Sequence, residues 1–428
     1  MNTLVITPSL LQGEVAIPPS KSITHRAIIA AGLSQGVSRL EPVLLSKDIL
    51  ATCRGMEVLG AQIDYGEADQ GFGRLTVQGS GGPRAIRNTI HCRESGSTLR
   101  FLLPLAALLD TEMIFHGEGR LLQRPLTPYL RIFRDQGLSI DREGEGLLVK
   151  GRLSPSTYRL EGDISSQFVT GLLFALPLLE GDSIIRLTSP LESKGYVDLT
   201  LEVLDAYSIQ VDGSEDGGFY VGGGQTYQAK DYTIEGDYSQ AAFWLAAGLL
   251  GAPIRCTRLR RDSKQGDAVI LGILRRMGGI IVLDSQGMVA YPSTTRGVDV
   301  DVSQCPDLVP ILAVLAALSQ GRTRILRAKR LRLKESDRLR ATARELNRMG
   351  AKVEEREDGL LIEGVDHLRG GEVDSWKDHR IAMALAIASI KCTSPVILRN
   401  SDAVDTSYPG FWRDFVKLGG RIHERNLG

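Results

Sequence analysis

Arg348-Met349-Gly350-Ala351-Lys352-Val353 reads as the end of a helix, a glycine and the start of a strand. Glycine suits the residue just past a helix, where the backbone turns left-handed. The same phrase stands at Val58-Leu59-Gly60-Ala61-Gln62-Ile63, Arg134-Asp135-Gln136-Gly137-Leu138-Ser139-Ile140, Arg276-Met277-Gly278-Gly279-Ile280-Ile281 and Lys417-Leu418-Gly419-Gly420-Arg421-Ile422. A degraded copy is Leu204-Asp205-Ala206-Tyr207-Ser208-Ile209. Counted from Gly60, Gly137, Ala206, Gly278, Gly350 and Gly419, the spacings are 77, 69, 72, 72 and 69 residues. Six units of this size fill the chain, and such repetition governs the choice of fold. Between the phrases lie alternating strand patterns, such as Gly146-Leu147-Leu148-Val149-Lys150 and Gly359-Leu360-Leu361-Ile362-Glu363, and apolar helices such as 167–179. Strands alternating with helices across short turns make an α/β unit. Periodicity leaves one ring of six or two groups of three; a cleft between two groups would be a natural ligand site.

Upstream of Gly350, the helix over 341–349 is preceded by Lys334-Glu335-Ser336-Asp337-Arg338. A helix start carries unsatisfied N–H groups and a partial positive charge, so cations placed there make a seat for phosphate or carboxylate. Glu335 among them is a candidate proton carrier in a closed site. Other strand-to-helix junctions have the same character. Ser20-Lys21-Ser22-Ile23-Thr24-His25-Arg26 leads into an apolar helix, with Ser22 a plausible cap. Arg93-Glu94-Ser95-Gly96-Ser97-Thr98-Leu99-Arg100 offers hydroxyls and a glycine that permits close backbone approach. Arg124 stands before Pro125, a residue suited to a first helical turn. Asp163-Ile164-Ser165-Ser166-Gln167, Glu192-Ser193-Lys194-Gly195-Tyr196, Cys305-Pro306-Asp307 and Lys377-Asp378-His379-Arg380 complete the set. Any one of these, taken alone, reads first as an ordinary capped helix. So many at the same phase of a repeat point to a strongly anion-seeking site.

Bulk composition narrows the class. The 428 residues carry 51 Lys+Arg and 51 Asp+Glu, a balance that argues against a nucleic-acid or membrane-surface binder. Five cysteines (Cys53, Cys92, Cys256, Cys305, Cys392) and six histidines are scattered, without metal-site or disulfide spacing, and a reducing cytoplasm is the expected compartment. Met1-Asn2-Thr3-Leu4 lacks the character of a secretory signal. Apolar runs such as 308–318 are shorter than a membrane span requires.

Taken together, Ser20-Lys21-Ser22…Arg26, Ser95-Gly96-Ser97…Arg100, Arg124-Pro125-Leu126, Ser165-Ser166-Gln167, Ser193-Lys194…Tyr196, Pro306-Asp307, Lys334-Glu335-Ser336-Asp337-Arg338 and Asp378-His379-Arg380 resemble the 5-enolpyruvylshikimate-3-phosphate synthase family, in family order and across nearly the whole chain. The resemblance implies a two-domain enolpyruvyl-transferase fold of the α/β class, an inside-out α/β barrel of six βαβαββ-like repeats, three per domain. One domain would be 1–20 plus 232–428, the other 21–231, with the active site in the interdomain cleft and domain closure excluding water. It implies transfer of the enolpyruvyl group of phosphoenolpyruvate to the 5-hydroxyl of shikimate 3-phosphate, with release of phosphate, the reaction that glyphosate targets in this family. The family pattern gives Glu335 the protonation of carbon, Asp307 the hydroxyl proton, and Lys21 an assisting role. It assigns Lys21, Gly96, Arg124, Gln167, Arg338 and Arg380 to phosphoenolpyruvate. Lys21, Ser22, Arg26, Ser165, Ser166, Gln167, Ser193, Tyr196, Asp307 and Lys334 go to shikimate 3-phosphate. No cofactor or metal, no nucleic acid, no membrane and a cytoplasmic monomer are the remaining expectations.

The chain departs from the family pattern in places. Thr406, in Asp405-Thr406-Ser407-Tyr408-Pro409, stands where a lysine is usual. Arg330 replaces a frequent asparagine, His25 another, and Phe101 a proline. Two rival readings share the fold: an enolpyruvyl transferase acting on UDP-N-acetylglucosamine, and a non-catalytic anion-binding relative. Lys21-Ser22 in place of a Lys-Asn pair, and Cys92 outside a glycine-rich loop, speak against the first. The joint presence of Lys21, Asp307 and Glu335 speaks against the second.

Overall fold

All six repeat phrases close a helix in the same way. The residue past the helix is left-handed at Gly60, Gly137, Gly278, Gly350 and Gly419, with φ between 75° and 104°. Its N–H reaches a carbonyl three residues back and the next N–H one five back, as in Gly350 N to Asn347 O (3.0 Å) and Ala351 N to Leu346 O (3.0 Å). This double bond pattern satisfies carbonyls the helix end leaves open. The degraded copy is corrected by the structure: its left-handed residue is Ser208 (φ 64°), not Ala206. Ser208 N bonds Asp205 O and Ile209 N bonds Leu204 O, both at 2.9 Å. With Ser208 in register the spacings become 77, 71, 70, 72 and 69 residues. A serine there accepts the strain that glycine avoids.

The computed structural model describes residues 2–67, 72–213 and 217–424. Among these are six four-stranded sheets. The repeats run strand, helix, strand, helix, hairpin, except that the last ends on the single strand Arg421–Glu424. In the second repeat, Thr89–His91 pairs parallel with Met113–His116, which pairs antiparallel with Gly146–Lys150, and that with Ser139–Glu143. Three sheets take a strand from a distant part of the chain. Gly13–Ala16 lies parallel to Ile254–Thr257, and Tyr232–Thr233 parallel to Gln35–Val43. Leu4–Thr7 runs antiparallel between Val396–Arg399 and Arg421–Glu424, completing the last sheet. The chain forms two compact units, Met1–Pro18 with Gly236–Gly428, and Pro19–Glu235, each holding three sheets.

The first helix of every repeat is apolar on nearly all faces, which suits a buried helix rather than a surface one. In the unit Pro19–Glu235 these are Lys21–Leu33, Gly96–Ala106 and Ser166–Ala175; in the other they are Tyr238–Leu250, Val309–Ala317 and His379–Ala388. The second helices, such as Arg338–Arg348, bury one face. Five of the six buried helices are capped by a serine or aspartate side chain: Ser20, Ser95, Ser165, Asp237 and Asp378. Those caps stand beside most of the charged and polar residues singled out above. No helix among the described residues is long and apolar enough to cross a membrane.

Candidate active site

In the unit Pro19–Glu235, two groups form around helix starts. Arg26, one turn into Lys21–Leu33, is buried. It donates from Nε to Thr200 Oγ1 (2.8 Å), from Nη1 to Ser22 O (2.7 Å) and from Nη2 to Tyr196 O (2.8 Å). The guanidinium also lies 5.2 Å from the Phe101 ring centre. Burial pushes its pKa down to about 10, with Tyr196 acting the other way. Arg26 thereby ties the Ser22 turn to the helix Lys194–Ala206, whose cap residue Ser193 is itself left-handed (φ 55°). Lys21 Nζ pairs with Asp48 Oδ2 at 2.8 Å. His25 Nδ1 meets Thr52 Oγ1 at 2.7 Å. Burial first, then the Lys21 and Arg26 charges, hold the imidazole well below its usual pKa, so it is neutral.

The second group centres on Gly96. Arg100 Nη1 donates to Gln167 Oε1 (2.7 Å), and Gln167 Nε2 to Ser97 Oγ (3.0 Å). A methyl on Gly96 would stand 3.1 Å from Arg100 Nη1, 3.2 Å from Arg124 Nη1 and 3.4 Å from Gln167 Oε1. Three side chains from three segments, Arg100, Arg124 and Gln167, thus converge on the helix start at Gly96. Ser165 caps the helix of Gln167, accepting from its N–H at 3.3 Å, and Ser166 is buried beside it.

The other unit gathers the acids. Asp307, on the short turn Pro306–Leu308, accepts from Arg338 Nη1 (2.8 Å) and Arg380 Nη2 (2.9 Å), with Lys334 Nζ at 3.4 Å. Glu335 Oε2 accepts from Arg338 Nη2 at 2.7 Å. Asp378 accepts from Arg338 Nε (2.8 Å) and Ser336 Oγ (3.0 Å), and caps its helix by accepting from Arg380 N (3.0 Å). Arg338 therefore touches three carboxylates, and their charges outweigh its burial and raise its pKa further. Burial alone would raise Asp307. Arg380, Lys334, Arg338 and His379 overcome that and hold its carboxyl well below the usual range. Lys334 is lowered by burial and by the charges of Arg338 and Arg330, against Asp307 and Glu335. Asp267, buried with Ser239 Oγ donating to it, is pushed up to about 6 by burial and by the Asp307 charge.

Five residues that carry this geometry lie outside the residues the motifs assign. Arg100 and Asp378 stand inside the helix-start motifs, and that position is a signal for them. Asp48, Thr200 and Asp267 carry no local signal, because their partners lie 27 or more residues away. Arg330 donates to Ser303 O at 2.7 Å. Thr406 ends the short turn Ser401–Thr406.

Comparison with known proteins agrees across the chain. A family profile described as EPSP synthase (3-phosphoshikimate 1-carboxyvinyltransferase) matches residues 5–415. Proteins named 3-phosphoshikimate 1-carboxyvinyltransferase from Clostridium kluyveri and Clostridioides difficile are 51% and 47% identical, each over all of both chains. An EPSP synthase structure from Acinetobacter baumannii aligns over all of both chains with TM-score 0.83 and 25% identity. The enolpyruvyl transferase NikO from Streptomyces tendae, at 19% identity and TM-score 0.79 over 99% of this chain and 98% of its own, shares the fold.

Proposed function

The chain belongs to the EPSP synthase (3-phosphoshikimate 1-carboxyvinyltransferase) family, and from that premise we propose how its own residues divide the work. The enzyme transfers the enolpyruvyl group of phosphoenolpyruvate to the 5-hydroxyl of shikimate 3-phosphate and releases phosphate; the nucleotide-sugar reading is not favoured. The observation that carries the assignment of roles is the ion-pair network of two half-buried candidate proton carriers, Asp307 and Glu335, with half-buried Lys334 and buried Arg338 and Arg380.

Asp307 takes the hydroxyl proton as the oxygen attacks C2 of phosphoenolpyruvate, and Glu335 gives a proton to the methylene carbon. The product is a tetrahedral intermediate. Loss of a proton from the new methyl group, returned to Glu335, then expels phosphate, which leaves with the hydroxyl proton released by Asp307. A carboxylate engaged by three cations is a weak base. Asp307 gains strength when the anionic substrates draw Lys334 and Arg380 to themselves. Likewise Glu335 is released to move a proton when the phosphoenolpyruvate carboxylate takes over Arg338. Arginine suits that exchange, because its planar fork matches carboxylate and phosphate. Lys21, Gly96, Arg124 and Gln167 complete the phosphoenolpyruvate set. Lys21, Gln167, Ser22, Arg26, Ser165, Ser166, Ser193, Tyr196, Asp307 and Lys334 hold shikimate 3-phosphate. What supports these roles is the clustering within each unit and the matching motifs.

We also read the enzyme as a cytoplasmic monomer. All five cysteines are unbridged and buried, as a reducing compartment allows, and a single species near the chain mass of 46.6 kDa in sedimentation checks the second point. The primary test is phosphate release from phosphoenolpyruvate with shikimate 3-phosphate, beside UDP-N-acetylglucosamine. Release that depends on shikimate 3-phosphate supports the reading; release with the nucleotide sugar alone overturns it.

Two further results are expected. Gly96→Ala should raise KM for phosphoenolpyruvate by about tenfold or more, because its methyl displaces the Arg100, Arg124 and Gln167 head groups. The melting temperature should hardly move, since those side-chain ends can shift and Gly96 sits in an ordinary helical conformation. Thr406→Lys should lower the same KM roughly fivefold, from one added charge-assisted contact of about 1 kcal/mol. An unchanged or higher KM would rule out that site for the missing cation.

A further inference from the structure

Glu345 is 1% exposed, lies two turns beyond Arg338 on the same helix, and has no part in the chemistry above. Its Oε1 accepts from the Trp376 indole Nε1 at 2.9 Å, and its Oε2 from the Asp374 backbone N–H at 3.1 Å. Arg348 Nη1 supplies a counter-charge at 3.0 Å. Arg344 lies 5.7 Å from the centre of the Trp376 ring. The segment so held is unusual. Trp376 and Lys377 are consecutive non-glycine residues with φ of 56°. Such conformations persist only where the surroundings over-determine them. Asp374 Oδ1 accepts from Trp376 N (2.7 Å) and Asn400 Nδ2 (3.0 Å), while Lys377 N donates to Ser375 Oγ (3.1 Å). The very next residue is Asp378, then His379 and Arg380.

The helix Arg338–Arg348 is thus fastened to the segment Asp374–Arg380 at two points, Arg338 to Asp378 and Glu345 to Trp376. We propose that Glu345 is a positioning residue for the donor site: by clamping Trp376 and Asp374 it holds the left-handed pair that aims Asp378 at Arg338 and Arg380 at Asp307. This rests on the reading above that Arg338 and Arg380 bind phosphoenolpyruvate. A charged helix residue with a merely structural role would change stability and leave the kinetics of the folded enzyme alone.

The test compares Glu345→Ala, Glu345→Gln, Trp376→Phe and Arg380→Ala, reading amide exchange over 374–380, KM for phosphoenolpyruvate, and the affinity for shikimate 3-phosphate. Glu345→Ala and Trp376→Phe should speed exchange in that segment and raise KM for phosphoenolpyruvate by about 10- to 100-fold, with shikimate 3-phosphate affinity within about twofold of wild type. Glu345→Gln keeps an acceptor for the indole but not a second one for the Asp374 N–H, and should recover only part of the loss. Trp376→Phe removes only the indole donor, so it decides the matter if Glu345→Ala does not fold. Unchanged exchange in Trp376→Phe overturns the clamp. Faster exchange with an unchanged KM, while Arg380→Ala raises KM, overturns the positioning role alone. An unchanged KM in Arg380→Ala removes the donor-site reading and the proposal with it.

Discussion

Glu335→Gln is expected to lower kcat for phosphate release by roughly 10²- to 10⁴-fold, the range a positioned general acid contributes. The substitution is nearly isosteric. The amide oxygen still accepts from Arg338 Nη2, which lies 2.7 Å from Glu335 Oε2, so the Asp307–Arg338–Asp378 network has no reason to rearrange. What is lost is the proton for the methylene carbon. KM for phosphoenolpyruvate and the affinity for shikimate 3-phosphate should therefore stay within a few-fold, and kcat and kcat/KM should fall together, the signature of an interaction made only in the transition state. Exchange of solvent deuterium into the phosphoenolpyruvate methylene should fall with kcat. A variant retaining a tenth of the rate, or one whose loss lies wholly in KM, would assign Glu335 to binding and leave the acid to be found elsewhere in the network.

How much of this was legible in the chain depends on whether the signal was local. The repeat could be read because its glycines serve a backbone geometry set within six residues; the caps act two or three residues ahead, yet at the first helix the cap is Ser20 and not Ser22, which lies inside the helix. Ser208 escaped because serine in a left-handed position breaks the residue-type rule while keeping the hydrogen bonds that define the turn. The exchanged strands Gly13–Ala16 and Tyr232–Thr233 pair with partners about 240 and 190 residues away, a fact of closure rather than of pattern. Within the site, Glu335 and Arg338 are helix-spacing neighbours and announce each other. Asp378 and Arg338 lie 40 residues apart, and nothing in either motif says they touch. Glu345 is the extreme case. In Arg344-Glu345…Arg348 it has the look of an exposed ion-pair residue, and only the indole of Trp376 against the helix shows that it is buried.

Asp378→Ala is expected to be the most destabilising single change at the site, costing about 3–4 kcal/mol. Asp378 is fully buried, and its two oxygens take Arg338 Nε and Nη2, Ser336 Oγ and the Arg380 N–H. Removing one partner of a buried pair costs roughly 3–5 kcal/mol, chiefly because the remaining charge is left uncompensated. Arg338 keeps Asp307 and Glu335, which places the pair's share near the lower end. Loss of the cap on His379–Ala388 adds about 1 kcal/mol. Asp378→Ser separates the two contributions: serine restores an acceptor at the helix start but no charge, so about 1 kcal/mol should return and the rest should not. Asp48→Ala gives the contrast. Its partner Lys21 keeps a fifth of its side chain exposed, so solvent screens the pair and about 1 kcal/mol or less is at stake. Guanidinium unfolding reads all of these, followed for the Asp378 variants at the transition of the unit containing Trp376 and for Asp48→Ala at the transition of the unit Pro19–Glu235. Full recovery in Asp378→Ser would reduce Asp378 to a helix cap, and the buried charge network would then have to be stabilised by Asp307 and Glu335 alone.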